Sequence, residues 1–196
     1  MSWHFYDKYH RDIRLQRAEP VAGLALSISA RNRRRKWDRF LREIAPTAET
    51  TVLDVGYSEH EHTELDNFLE RHYPWPHKIT ALGTHEPLEF ARRYPKVTVT
   101  TYSGGRFPFP DKSFDVVWSN AVLSQVGDRA KQLEFVREIA RVAKRAFITI
   151  RNRHFPVEVH TRTRFLHWLP KQMFDAYLLA IGKNWAAEDY MRLLKP

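Results

Sequence analysis

Four groups of residues in this sequence have the types and spacing to do chemistry. Asp54 stands in the apolar run Thr51-Val52-Leu53-Asp54-Val55-Gly56-Tyr57-Ser58. A glycine after such a buried strand lets the backbone pass close to a ligand or a packed helix. Glu59-His60-Glu61-His62 has metal-ligand side chains, and two histidines one residue apart can share a metal on a loop. Nothing fixes a third ligand, so the expectation is no metal and a polar loop opening a helix, with acids near its N-terminus. Glu158 and His160 alternate along the chain; they read either as a histidine base with an orienting acid or as a surface polar pair. Finally, Arg31-Asn32-Arg33-Arg34-Arg35-Lys36 is a basic run. It reads either as a solvated helix face or as a phosphate-binding patch for nucleic acid or anionic lipid, the latter being the minor reading.

The composition narrows the class. At 196 residues the chain fits one domain with a substantial core. The absence of cysteine excludes disulfides, iron–sulfur clusters and thiolate zinc, and it fits a reducing compartment. A net charge of +9 reads either as a solvated, soluble surface or as attraction to anionic partners or surfaces. The apolar run Val21 to Ile28 is too short to span a bilayer, and the residues before it are not those of a signal peptide. A cytoplasmic protein is expected. Trp3, Phe5, Tyr6, Tyr9 and Ile13 form an amphipathic arm, either laid on the domain or facing lipid with Arg11, Arg14 and Arg17.

Strands and helices alternate after this arm. Trp37, Phe40, Leu41 and Ile44 lie on one face of a helix that Pro46 ends. Strands are expected over 51–56, 78–83, 97–102, 115–120 and 145–150. Helices are expected over 62–72, 87–94, 128–144 and 171–194. Asp128 caps the third of these, with Leu133, Val136, Ile139, Ala140 and Ala143 inward. The last carries a stripe of Phe174, Tyr177, Leu178 and Ile181. This order predicts an α/β, Rossmann-like, doubly wound, mostly parallel sheet. Ligands in such sheets bind at the carboxyl ends of the strands.

The motifs resemble the class I S-adenosylmethionine-dependent methyltransferases, in their type 11 branch. VLDVG at 52–56 is similar to the family's first motif, and FPFPDKSFDVVWSNAVLSQV at 107–126 to its segment around the fourth strand. FITIRNRHFPVEVHTRTRFLHWLP at 147–170 resembles a subgroup associated with sugar or polysaccharide gene neighbourhoods. The resemblance implies S-adenosylmethionine as cofactor, held by Asp54, Gly56, Ser58, Gly83, Thr84, Ser103, Ser119 and Asn120. It implies that the loop after the fifth strand faces a small-molecule or carbohydrate-type acceptor, offering Asn152, Arg153, His154, Glu158 and His160. His160 is the base chosen there, with Glu158 beside it.

Three departures from the family pattern all fall on cofactor contacts. Gly56-Tyr57-Ser58-Glu59-His60 replaces G-x-G-x-G; Gly83 stands where the family carries its ribose acid, with Glu86 three residues on; and Ser103 stands for the adenine-loop acid. Two readings follow: methyl transfer to such an acceptor, or a catalytically inactive, methyltransferase-like subunit acting in assembly or binding. The expected organisation is a single domain of residues 1–196. Within it 1–45 form a helical arm, 50–152 the sheet core, and 153–196 an acceptor-side loop and C-terminal helix. The family's C-terminal strand hairpin is missing from this pattern, which leaves the fifth strand as an edge. A homo-oligomer or protein partner is expected there, because uncovered edges aggregate.

Overall fold

The computed structural model describes residues 20–150, 157–158, 163–183 and 187. The chain divides into two compact units, Ser29–Ile150 and Met1–Ile28 with Arg151–Pro196. The first holds a five-stranded, all-parallel sheet in the order β3-β2-β1-β4-β5. Its strands are β1 (Val52–Val55), β2 (Ile79–Gly83), β3 (Thr98–Thr101), β4 (Phe114–Asn120) and β5 (Ala143–Thr149). The expected fold class is therefore the one observed. The strand order reverses between β1 and β4, which puts the switch point at the ends of those two strands.

The core explains why the apolar runs became strands. Val52, Leu53 and Val55 on β1, and Val116, Val117 and Trp118 on β4, are all buried, as in a sheet covered on both faces. One face is covered by α1 (Pro20–Ile44), α2 (Phe68–His72) and α3 (Leu88–Arg93). From α1, Trp37 and Phe40 enter an aromatic cluster: Phe40 meets Trp118 edge-on at 5.0 Å, and Trp118 stacks on Phe147 at 5.2 Å. Leu41, expected inward, is exposed, because the inner stripe is Trp37, Phe40 and Ile44. Arg145 on β5 closes the end of α1 by donating to the carbonyls of Glu43 and Ile44.

The helix α4 (Arg129–Val142) starts at Asp128, whose carboxylate accepts from the Lys131 N–H at 3.0 Å, the expected cap. Its inward face differs from the expected one. Gln132, Phe135, Ile139 and Val142 are buried, whereas Leu133 is 49% exposed and Ala140 also faces out. Phe135 meets Phe107 edge-on at 5.7 Å, which sets the rotation of the helix. Arg141 binds the carbonyls of Phe107 and Phe109 and the Asp111 carboxylate, pinning the turn-rich segment before β4.

The helix expected over 62–72 is only the five residues of α2. Asp66 accepts from the His62 and Thr63 N–H groups, and Asn67 is left-handed at φ 47°, so side-chain turn bonds replace the first helical turns.

In the second unit β6 (Val157–Glu158) pairs antiparallel with β7 (Thr163–Arg164), apart from the main sheet. Among the described residues β5 is therefore an edge. The last helix, α5 (Lys171–Ala180), stops earlier than the expected 194. Gly182 takes φ 73°, with Gly182 N–H bonded to Leu179 and Lys183 N–H to Leu178, a glycine-terminated Schellman end. Phe174 and Leu178 are buried there, and Ile181 is exposed. The N-terminal arm of residues 3–17 lies outside the described residues.

Phe40 is fully buried within the aromatic cluster. Phe40→Ala is expected to lower stability by about 3–5 kcal/mol, read by urea unfolding.

Candidate functional site

The strand-end region is built outward from β1. Gly56 turns the chain at φ 100°, and a Cβ on it would stand 2.4 Å from Val122 Cγ2. Only glycine fits, and what approaches it closely is the chain's own valine. The next residue, Tyr57, lays its ring over Gly83 at the end of β2. A Cβ on Gly83 would meet Tyr57 Cε1 at 2.4 Å. The Tyr57 hydroxyl donates to the His85 carbonyl at 2.9 Å, and its ring packs on Phe90 at 4.3 Å.

The rest of this loop is held by side chains. Ser58 N–H donates to Asn67 Oδ1 at 2.8 Å, and Asn67 Nδ2 donates back to the Ser58 carbonyl at 2.8 Å. Glu59 is buried and accepts from the backbone N–H groups of Glu89 and Phe90, capping α3. His60 Nδ1 meets Glu89 at 2.9 Å. Glu61 is enclosed by Arg71, Arg93, Tyr94 and Asn67. The Glu59–His62 stretch thus fastens the loop to α2 and α3, and no cluster of metal-ligand side chains forms among the described residues. An open depression of about 380 Å³ lies beside it, lined by Glu61, His62, Thr63, Glu64, Arg71 and Arg93.

Asp54 is 5% exposed and lies beside Glu70 of α2, also 5% exposed. Neither Glu70 oxygen meets a donor among the described residues. Two carboxylates buried side by side disfavour each other's ionisation. Burial, then the Asp54 charge, raises Glu70 well above the usual carboxylate range. Burial also raises Asp54, to about 6, against the opposing effects of the Glu70 hydrogen bond and the Arg33 charge. Of the two, Glu70 is the one whose protonated form is the more strongly favoured.

At the end of β4, Ser119 is fully buried and its hydroxyl has no partner among the described residues. Asn120 Oδ1 accepts from Thr149 Oγ1 at 2.8 Å and from Lys36 Nζ at 3.2 Å. Thr84, Glu86 and Ser103 are exposed. The structure therefore gathers Asp54, Gly56, Ser58, Gly83, Ser119 and Asn120 around the ends of the central strands. His160 lies outside the described residues, as do Asn152, Arg153, His154 and the side chain of Glu158. Sequence reasoning missed Glu70, Arg33 and Lys36 as neighbours of the site. The signal for Glu70 was an acid directly after the buried Phe68 and Leu69.

Residues 53–147 match the family model described as a methyltransferase domain. That stretch is just under half of the chain, and the parallel sheet that carries it has the class I methyltransferase fold. Among solved structures it is similar to an S-adenosylmethionine-dependent methyltransferase from Aquifex aeolicus. That match has 19% identity and a TM-score of 0.48, covering 74% of this chain and 78% of that one. It is also similar to the YcgJ protein from Bacillus subtilis, at 24% identity and a TM-score of 0.43 over 57% of this chain. It spans 47% of the length of that Bacillus protein. No curated protein matches the sequence.

The residues at these strand ends do not fit S-adenosylmethionine in the manner the resemblance implies. The family's ribose acid is expected at Gly83, where there is neither a carboxylate nor room for one beside the Tyr57 ring. The Asn120 side-chain oxygen is engaged by Lys36 and Thr149, whereas the Gly56 backbone is exposed.

Because Asp54 and Glu70 are both raised, the folded protein keeps a proton that the unfolded chain releases near pH 4. The stability this proton contributes is complete below about pH 4 and is lost as pH rises through the folded values, about 6 for Asp54. Glu70→Gln keeps a donor for Asp54 without titrating. Its stability relative to the parent is expected to rise by about 1–3 kcal/mol between about pH 4 and about pH 8, read by urea unfolding. A difference that stays constant with pH would show that Glu70 does not hold the proton.

Proposed function

We propose that this methyltransferase-family chain works as a binding or assembly subunit, without methyl transfer at its strand-end cleft. The observation that carries this reading is the Tyr57 ring packed against Gly83. Ribose recognition by charge-assisted hydrogen bonds contributes about 1.5–3 kcal/mol per bond, and no acid stands at Gly83 to make them. The surface offered to a partner is the open edge of β5. Its Lys144 and Arg145 are engaged with Asp115 and with the end of α1, while the strand's outer backbone has no partner among the described residues. Self-association through that edge is expected in sizing and scattering experiments, and a monomer would remove it as the assembly surface.

The second reading is S-adenosylmethionine-dependent methyl transfer to a small or carbohydrate-type acceptor, and the family match over residues 53–147 favours it. It requires Tyr57 to leave Gly83. Cofactor would then be held among Asp54, Gly56, Ser58, Gly83, Thr84, Ser103, Ser119 and Asn120, with His160 and Glu158 on the acceptor side. The acidic neighbours Asp54 and Glu70 would face the cationic, methionine end of the cofactor, which favours the ionised Asp54.

Calorimetric titration with S-adenosylmethionine and S-adenosylhomocysteine separates the two readings. No binding up to about millimolar ligand by folded protein is the result expected of a subunit. Micromolar binding, weakened by Asp54→Ala, would overturn it in favour of the enzyme. The double variant Tyr57→Gly with Gly83→Asp restores both the space and the acid. It is expected to bind more tightly than the parent if the tyrosine is what closes the cleft.

A further inference from the structure

The basic run Arg31–Lys36 is divided by the helix it sits on. Lys36 reaches inward to Asn120 and Thr149, and Arg33 lies near enough to Asp54 to favour its charged form. Arg31, Arg34 and Arg35 are exposed, and Arg39 and Arg42 continue the same outer surface. Five arginines and two acids, Asp38 and Glu43, therefore face outward over residues 31–43. Glu43 is already bonded to Arg39 at 2.7 Å. We propose that this outer face of α1 binds the phosphate backbone of a nucleic-acid duplex without reading its sequence.

The placement is not explained by folding. Arg31 stands three and four residues from Arg34 and Arg35, and like charges at those spacings oppose the helix that carries them. Every exposed cation on this stretch is arginine, whose planar fork takes two phosphate oxygens at once. From Arg31 to Arg35 the helix rises about 6 Å, and from Arg35 to Arg42 about 10 Å, a line of charge rather than a point. The whole chain, at +9, adds a long-range attraction of the same sign.

The face selects a duplex over the alternatives. Single strands are held by stacking bases on exposed aromatic rings, but Trp37 and Phe40 of α1 are buried in the sheet packing. An interfacial membrane helix needs its apolar face free for lipid, and beneath the arginine stretch the apolar residues Trp37, Phe40 and Ile44 are already packed in the core with β4 and β5. The exposed apolar residues on its described outer surface, Ile28 and Leu41, lie far apart along it. Backbone contacts alone fix position without sequence information. This inference stands apart from the cleft and holds whether or not the cleft takes a methyl donor.

The test is fluorescence anisotropy of a labelled duplex of about 20 base pairs with the full chain, as salt rises from about 50 to about 200 mM. Neutralising about three phosphates gives a log–log slope near −3 and a loss of affinity of some tens of fold across that range. Charge reversal at three positions, Arg31→Glu, Arg34→Glu and Arg35→Glu, is expected to flatten the slope by about three and weaken binding more than tenfold. The matching triple change to lysine keeps the charge and is expected to keep most of the affinity. Lys131→Glu with Arg137→Glu, on the exposed surface of α4, is expected to bind as the parent does. Circular dichroism confirms that each variant is folded. The proposal is overturned if the parent does not bind duplex at low salt, or if folded triple-reversal protein binds as tightly as the parent. Preference for vesicles containing about a third phosphatidylserine over the duplex would overturn it in favour of a lipid surface.

Discussion

The shape of the strand-end region depends on one side-chain amide. Asn67 both accepts from and donates to the backbone of Ser58, two bonds of 2.8 Å that hold the loop after β1 from outside the strand. A backbone held at both its N–H and its carbonyl has little freedom left at that residue. Tyr57, one position earlier, is thereby directed over Gly83, where its ring finds Phe90 and its hydroxyl finds His85. Glu59, one position later, turns inward to cap α3. Asn67 obtains its place by adopting a left-handed conformation, which asparagine tolerates better than most residues. The same conformation keeps α2 short. One residue thus links the loop, the helix and the covered end of β2.

The buried acids carry the complementary constraint. Asp54 is held on the α1–α3 face of the sheet by its position on β1, two residues from the fully buried Val52. Glu70 reaches it from α2 because the helix buries Phe68 and Leu69 beside it. Two ionised carboxylates so enclosed would repel strongly, and burial accordingly raises both above the usual carboxylate range. Arg33 on α1 supplies a positive charge that favours the ionised form of Asp54. Each of the three helices on that face therefore ties into the strand ends by a polar group: α1 through Arg33 and Lys36, α2 through Glu70, and α3 through its cap on Glu59. The sheet's central strand is electrically as well as sterically tied to its covering layer.

The parallel sheet was legible from the sequence because its strands are short, apolar and bounded by glycine, proline or turn residues. Ile79–Gly83 and Phe114–Asn120 begin within one residue of where the apolar runs place them. What could not be read was side-chain competition and rotation. The helix over 62–72 has a plausible apolar spacing, but spacing says nothing of Asp66 binding two N–H groups ahead of it. The inward face of α4 was displaced because Ile139 fits either stripe, and only the Phe107–Phe135 contact chooses between them. At the site, the loss of the expected acid at Gly83 was visible in one dimension. The ring that fills its place comes from a residue 26 positions earlier, on another strand's loop, and such a contact has no local signature. The inward turn of Arg33 and Lys36 was hidden for a related reason: a run of cations reads as one patch until the helix beneath it is rotated into place.

A glycine at the end of a buried strand is usually taken as room left for a ligand, but the room is only a steric fact. At Gly56 and Gly83 it is used by Val122 and Tyr57, so the absence of a side chain there is already explained by packing within the chain. The glycines therefore cannot count twice, once for the fold and again for a cofactor. Asn120 is likewise engaged within the chain, its oxygen serving Thr149 and Lys36, and Glu59 serves α3. Ser119 is different: its buried hydroxyl has no partner among the described residues, and no packing requirement accounts for a polar group there. The sheet is stabilised by Val52, Val116, Trp118 and their neighbours, none of which needs the strand ends to be open. Fold and site are separable in this chain at the level of individual residues. Of the groups at the strand ends, the Ser119 hydroxyl and the buried Asp54–Glu70 carboxyl pair are those the fold alone does not account for.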